Sequence, residues 1–325
     1  MKKRILVTGG AGYIGSVLCR LLLRNDYKVR VLDNLMYGGE PIIDLLNEED
    51  FEFIKGDVRD PESVTMATQN VFAVAHLAAI VGDPACAKSP DLARSTNLEG
   101  SKLLYKAAEN QGTSRFVFAS TCSNYGKMDD PESYVHEGST LAPVSLYAET
   151  KVAFEQFLME QPRENKCKPT ALRFSTVYGL SPRPRFDLTV NEFTKEVALG
   201  RELLVFGEQF WRPYCHVLDL CRSVMATIGA DQEKVAFDVF NVGDTSENYQ
   251  KQMIVNEIVK QLPDAKVKYV SKNEDPRDYR VSFDKIKERL DFEVKLKVPD
   301  GIRQTIKVLK EGFILNPDDP KYKNV

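Results

Sequence analysis

What the sequence lacks narrows its class before any motif is read. No apolar run approaches the roughly 20 residues that a membrane span requires, so no membrane partner is expected. A formal net charge of -3, with no long Lys/Arg stripe, leaves no electrostatic footprint for nucleic acid, and anionic ligands must be met locally. The cysteines Cys19, Cys86, Cys122, Cys167, Cys215 and Cys221 include no C-x-x-C pair and no His/Cys cluster. That argues against structural zinc and a disulfide framework, predicts no metal, and fits a reducing cytoplasm. Met1-Lys2-Lys3-Arg4 before Ile5-Leu6-Val7 has the charged start of a signal peptide, but glycines interrupt it before an apolar region develops, so it reads as a first strand. There is no internal repeat and no low-complexity tract.

What is present is an ordinary globular composition, 43% hydrophobic and 28% charged over 325 residues, enough for a large α/β unit and a smaller lobe. Short apolar or β-branched runs at 4–7, 28–32, 51–54, 72–76 and 116–119 alternate with amphipathic stretches. Parallel strands joined by crossovers give a doubly wound parallel sheet, the Rossmann architecture, and the expected class is α/β with a smaller α/β substrate lobe. Helices are expected over 90–111 and 145–161, their apolar positions serving the core and, in part, a dimer contact. After Gly179 the pattern changes to a Pro/Arg-rich loop at 180–186, then helix, short strands and further helices. The division expected is a nucleotide-binding domain over 1–178 completed by about 213–243, a second lobe over 179–212 and 244–315, and a loose polar tail at 316–325.

Thr8-Gly9-Gly10-Ala11-Gly12-Tyr13-Ile14-Gly15 follows the first strand and opens a helix. One glycine permits the tight turn, the next lets the backbone approach a pyrophosphate, and the last lets helix and strand pack closely. The phosphates would rest on the helix N-terminus, where free N–H groups and the positive dipole end meet. A G-x-G-x-x-G run alone is equally a bland turn, but Val31-Leu32-Asp33 ends the second strand at the spacing where a carboxylate binds the adenosine ribose and repels a 2′-phosphate. Asn34 and Leu35 follow, with no basic residue at once, so NAD is predicted over NADP. Asp57 and Val58 after the third strand, and Leu77, Ala78 and Ala79 after the fourth, border the rest of the cofactor.

Tyr147 and Lys151 stand at i and i+4 near the start of the second expected helix and share a face. Alone, such a pair is more often solvent-facing than catalytic. Beside an oxidised nicotinamide, an ammonium helps a phenol act as a base at neutral pH.

With the glycine loop, Asp33, Gly56-Asp57, His76-Leu77-Ala78-Ala79, Asn97, the strand end at 120–126 and Tyr147/Lys151 assembled, the sequence resembles the extended short-chain dehydrogenase/reductase family, in its group of NAD-dependent nucleotide-sugar epimerases and dehydratases. The resemblance covers nearly the whole chain. It implies that Tyr147 is the base, that Lys151 holds the nicotinamide ribose and tunes Tyr147, and that Thr121 hydrogen-bonds the reacting hydroxyl. It gives Asn97 a supporting role at the central helix and makes His76 a wall residue. It also implies a cytoplasmic homodimer acting on a nucleotide-diphosphate sugar in polysaccharide biosynthesis.

The second half resembles the same family through Arg173-Phe174-Ser175-Thr176-Val177-Tyr178-Gly179 and through 212–219. A guanidinium fork suits a diphosphate. Arg212 and Arg277 are therefore substrate-phosphate candidates, followed by Arg183 and Arg185, with Leu188, Asn191, Cys122 and Ser123 lining the same cleft.

Family members begin by oxidising a sugar hydroxyl, usually at C4, to a ketone. The 4,6-dehydratases carry an Asp-Glu pair directly after the catalytic Thr, where this chain has Cys122-Ser123. A 4-epimerase needs only a ketone that can turn and be reduced on its other face, and is the leading expectation. Asp33-Asn34-Leu35-Met36, Ser181-Pro182-Arg183 and Asp187-Leu188 are similar to a branch that includes oxidases of nucleotide-linked heptoses, which keeps a 4-dehydrogenase close behind. Cys122 is either a base beside the ketone or a small buried residue. A non-catalytic NAD-binding protein is the alternative of another class.

Overall fold

The apolar runs form the centre of the molecule because they can be buried on both faces. β1 (Arg4–Thr8), β2 (Lys28–Asp33), β3 (Phe51–Lys55), β4 (Ala73–His76), β5 (Arg115–Thr121) and β6 (Lys168–Phe174) are laid down in turn. Ile5, Leu6 and Val7 have no accessible surface, as a parallel strand under two helical layers requires. The computed structural model describes residues 2–128, 130, 133–271 and 277–324. After β6 the chain leaves to make β7 (Thr176–Tyr178), β8 (Glu202–Phe206) and β9 (Trp211–His216), returns as β10 (Asp238–Val242), and leaves again for β11 (Asn248–Gln250) and β12 (Lys266–Val270).

The main sheet has seven strands in the order β10-β6-β5-β4-β1-β2-β3, every pairing parallel. This is the doubly wound arrangement expected. Connections from β1 run outward through β2 to β3, and the chain then crosses back to β4 on the other side of β1. The crevice at that reversal, beyond the carboxyl ends of the strands, is where such sheets take ligands.

One face of the sheet is covered by the helices Gly15–Leu23 and Val217–Gly229, whose Leu18, Cys19, Leu22, Val224 and Ile228 are buried together with Val7 and Val29. The other is covered by Ser101–Asn110 and Leu146–Met159, whose Leu104, Tyr105, Phe154 and Leu158 pack with Leu6, Phe116 and Phe118. Phe118 and Phe154 meet edge to face at 4.8 Å between centroids, which fixes the second helix against β5. A third cluster, including Tyr178, Phe193, Ile254, Ile258 and Ile302, holds the remaining strands, β11-β9-β7 and β12-β8, to the helices Thr189–Ala198, Lys251–Gln261 and Val298–Lys310.

Two elements differ from the sequence expectation. The helix over 90–111 is three pieces, Pro90–Arg94, a π-helical turn Ser95–Gly100 and Ser101–Asn110. The widened turn accommodates Asn97, whose carboxamide is engaged with the backbone of Ile80. The tail is not loose where it is described. Asp318 pairs with Lys195 and Arg201, Phe186 N–H donates to the Tyr322 carbonyl, and Asn324 N–H donates to Asp187.

Candidate active site

The glycine loop is shaped by contacts that leave no room for side chains. Gly9 has φ +72°, and a Cβ there would lie 2.9 Å from the Ala78 backbone; one on Gly15 would lie 2.1 Å from the Gly9 carbonyl oxygen. Ile14 makes no side-chain capping hydrogen bond to the helix Gly15–Leu23.

At the end of β2 the Asp33 carboxylate accepts from Ala11 N–H at 3.0 Å and Leu35 N–H at 2.8 Å. It thereby ties the glycine loop to the next loop. Burial raises its pKa, opposed by those two hydrogen bonds. Beyond it, Asn34 donates to Asp57 at 3.1 Å, and the hydrogen bond from Arg59 holds Asp57 down to about 2.

These residues border a solvent-open cleft of about 1330 Å³. Gly9, Gly12, Tyr13, Ile14, Gly15, Asp33, Asn34, Asp57, Val58, Leu77, Ala78, Ala79, Tyr147 and Lys151 all line it, as does Thr121. A cleft lined by the Gly-rich loop, the half-buried Asp33 carboxylate and the Tyr147/Lys151 pair fits an extended dinucleotide. Asn97 does not line it. Its carboxamide accepts from Ile80 N–H at 2.8 Å, donates to Ile80 C=O at 2.9 Å and reaches Thr150 at 3.4 Å, so it fixes the loop after β4 from behind.

The reactive end joins two elements. Thr121 closes β5, and Ser145 caps the helix Leu146–Met159 by accepting from Ala148 N–H, so that Tyr147 falls in the first turn and Lys151 one turn on. Lys151 is 3% exposed, donates to the Ala119 carbonyl at 2.9 Å and has its Nζ 5.8 Å from the Tyr147 ring centroid. Burial lowers its pKa to about 7. Burial raises that of Tyr147, with Cys86 and Asp83 adding and Arg185 opposing. The low-dielectric wall thus penalises phenolate and ammonium separately, and each is relieved by opposite charge nearby. His76 lies behind, bonded to Thr8 at 2.7 Å and Ser101 at 2.8 Å, its pKa lowered to about 3 by burial and then by Lys151. Among the described residues no cluster of His, Cys, Asp or Glu could hold a metal, and no helix is long and apolar enough to cross a membrane.

The residues expected at the substrate are dispersed. Arg183 and Arg185 line the dinucleotide cleft itself, Arg185 in a bidentate pair with Asp187. Cys122, Ser123, Leu188, Asn191, Arg212 and Arg277 do not line that cleft. Cys122 is 1% exposed, its thiol faces the Arg173 carbonyl at 3.2 Å, and burial pushes its pKa up, which removes it as a thiolate base. Ser123 lies 3.5 Å from the Tyr279 hydroxyl, and Leu188 precedes the helix Thr189–Ala198. Asn191 is buried and braces Gly179 and the Arg185 carbonyl. Arg212 lies over the Tyr279 ring at 5.3 Å, and Arg277 pairs with Asp83 at 3.0 Å.

Further residues line the cleft that were not expected at it: Met36 and Tyr37 beyond Asp33, Ile80 and Val81 beyond β4, and Asn324 in the tail. Tyr37 could have been found by its position just past Asp33 at the end of β2. Asn324 had no signal.

The model of the NAD dependent epimerase/dehydratase family matches residues 5–243. The chain belongs to that family. It is 30% identical to a dTDP-glucose 4,6-dehydratase of Streptomyces niveus over 95% of this chain and 93% of that protein. It is also 30% identical to a UDP-glucose 4-epimerase of Bacillus subtilis, over 74% and 76% of the two chains. In fold it is similar to a Bacillus cereus UDP-glucuronic acid 4-epimerase crystallised with UDP-glucuronic acid and NAD, with a TM-score of 0.84, 25% identity and coverage of 95% and 99%. The chain is thus an NAD-dependent enzyme of the nucleotide-sugar epimerase/dehydratase type, with the architecture and cofactor that its glycine loop and Asp33 indicate.

Proposed function

We propose that the protein is a nucleotide-sugar 4-epimerase acting through a transient 4-keto sugar. The observation that carries this reading is the convergence of Thr121, Tyr147 and Lys151 at one end of the dinucleotide cleft, with no carboxylate pair after Thr121. Bound NAD supplies the hydride acceptor and donor. Tyr147 takes the proton of the C4 hydroxyl and returns it to the other epimer, Thr121 orients that hydroxyl, and Lys151 stabilises the phenolate. Gly9, Gly12, Tyr13, Ile14 and Gly15 receive the cofactor diphosphate on backbone N–H groups, and Asp33 binds the adenosine ribose. Asn34, Asp57, Val58, Leu77, Ala78 and Ala79 enclose the remainder.

Dehydration would need an acid and a base at 122 and 123. The buried Cys122 thiol and the Ser123 hydroxyl offer neither. The sugar nucleotide belongs on the far side of the nicotinamide end, toward Arg212, Tyr279 and Arg277, where guanidinium groups can meet its diphosphate. Work in the cytoplasm as a homodimer belongs to the same reading, docked through Ser101–Asn110 and Leu146–Met159, on which Leu103, Ala107, Phe157 and Met159 are only half-buried. The likeness of 33–36 and 181–183 to oxidases of nucleotide-linked heptoses supports one second reading, a 4-dehydrogenase that releases the ketone.

A panel of nucleotide sugars deuterated at C4 separates these activities. Product NMR showing label retained at an inverted C4 supports epimerisation. Free ketone with reduced nicotinamide accumulating in solution marks the dehydrogenase, and label carried to C6 marks dehydration. Tight NAD binding without turnover of any sugar would sink the enzymatic reading.

A further inference from the structure

The outer wall of the cofactor cleft is built by a part of the chain far from the nucleotide-binding sequence. Asn324 lines the cleft together with Asp33, Tyr37 and Arg183. It is brought there by a series of anchors along 318–324. Asp318 is paired with Lys195 at 2.9 Å and Arg201 at 2.5 Å. The Tyr322 ring packs edge to face on Phe186, and its carbonyl accepts from Phe186 N–H at 2.9 Å. The Lys323 carbonyl accepts from Arg183 Nη2 at 3.3 Å, and Asn324 N–H donates to Asp187 at 3.2 Å.

Two polar atoms at this wall are left over. The Arg183 Nε and the Asn324 Oδ1 are both buried with no hydrogen-bond partner among the described residues, and the two side chains belong to residues only 5% and 9% exposed. The Arg183 guanidinium is held at 4.0 Å over the Tyr37 ring, so the donor is fixed in place. A buried N–H of a cation and a buried amide oxygen without partners are costly in a folded protein unless a ligand satisfies them. Arg183 and Asn324 both line the cleft that the glycine loop also borders.

We infer that residues 318–324 form a strap that completes the dinucleotide site, with Arg183 donating to the anionic diphosphate and Asn324 accepting from a ribose hydroxyl of the same molecule. The inference rests on the NAD-binding reading and adds a second wall to it. The glycine loop receives the diphosphate from below, and the strap closes the opposite side. Release of the cofactor therefore requires the strap to lift, which breaks the Asp318 pairs and the Tyr322 contact. An NAD molecule behind such a wall stays in place from one turnover to the next, as an enzyme that returns its hydride to the substrate needs.

The test measures NAD release from the full-length protein and from Asn324→Ala and Asp318→Ala, by chasing bound fluorescent etheno-NAD with excess NAD. Each variant is expected to release the nucleotide about tenfold faster than the parent, the effect of losing about one hydrogen bond or ion pair on the closed side. The melting midpoint of cofactor-stripped Asn324→Ala should match that of the stripped parent, while the rise on adding NAD shrinks. In the parent itself, tryptic cleavage after Lys321 should slow when NAD is present. Variants that release nucleotide at the parent's rate, or cleavage indifferent to NAD, overturn the strap alone. A parent that holds no nicotinamide nucleotide overturns the strap and the NAD site together.

Discussion

Glu155 and Arg173 form an ion pair inside the protein, Oε1 to Nη2 at 2.5 Å, with both side chains 4% exposed. Glu155 stands one turn beyond Lys151 on the helix Leu146–Met159, and its other oxygen accepts from Ser120, the neighbour of Thr121, at 2.7 Å. Glu155 thus ties the helix that carries Tyr147 to β6 through Arg173 and to β5, the strand that carries Thr121, through Ser120. Removing one charge strands the other in a low-dielectric interior. Glu155→Gln is expected to lower stability by about 3 kcal/mol, measured by urea denaturation of the cofactor-free protein; a loss within the scatter of surface variants would contradict this.

Tyr147→Phe keeps the ring and removes the proton acceptor. Turnover of the sugar nucleotide should fall by about a hundredfold to ten-thousandfold, while the variant still copurifies with NAD. Undiminished turnover would remove Tyr147 from the chemistry.

The buried Lys151 gives a pH signature. Unfolded, the ammonium keeps its proton to near 10.5, whereas in the folded, cofactor-free protein it gives it up at about 7. Between those values the unfolded chain binds more protons, so this group makes stability rise with pH. Below about 7 the desolvation penalty is present in full. Lys151→Met removes the titration, so its stability relative to the parent should be more favourable at pH 6 than at pH 9 by about 2 kcal/mol. Parallel melting-versus-pH curves for the two proteins would refute the assignment of burial as the cause.

Asp33 accepts two backbone N–H groups, and the proposed function places the adenosine ribose beside it. Asp33→Ala is expected to narrow the preference for NAD over NADP by about tenfold or more, because a like charge is removed from the path of the 2′-phosphate. It should also loosen the glycine loop. Titration of both nucleotides by intrinsic fluorescence checks this, and an unchanged preference would count against the ribose assignment.

The sheet and the cofactor loop were legible in the sequence because their physics is local. Gly15 is dictated by a clash with the Gly9 carbonyl in the same loop and Gly9 by its positive φ, Asp33 by its place at a strand end, and the strands by runs buried on both faces. The Tyr147/Lys151 pair was legible through helical spacing. What escaped depends on contacts between distant segments. The resemblance gave Asn97 a supporting role at the central helix without showing that the π-turn directs its carboxamide to Ile80. The role of Cys122 depended on its thiol facing Arg173 rather than the cleft. The order of the tail is set by Lys195, Arg201 and Phe186, more than a hundred residues away, and no pattern in 316–325 announces them.

The place of β10 has a consequence for how the chain is made. β6 pairs with β5 on one side and with β10 on the other, yet more than 60 residues separate Phe174 from Asp238. While the second lobe is still being synthesised, the outer edge of β6 offers unpaired N–H and C=O groups, a template for adhesion between nascent chains. Arrival of 238–242 occupies that edge. A fragment ending near Gly179 would carry every glycine of the nucleotide loop and still be prone to aggregate, whereas one extended through Val242 would have the outer edge of β6 paired.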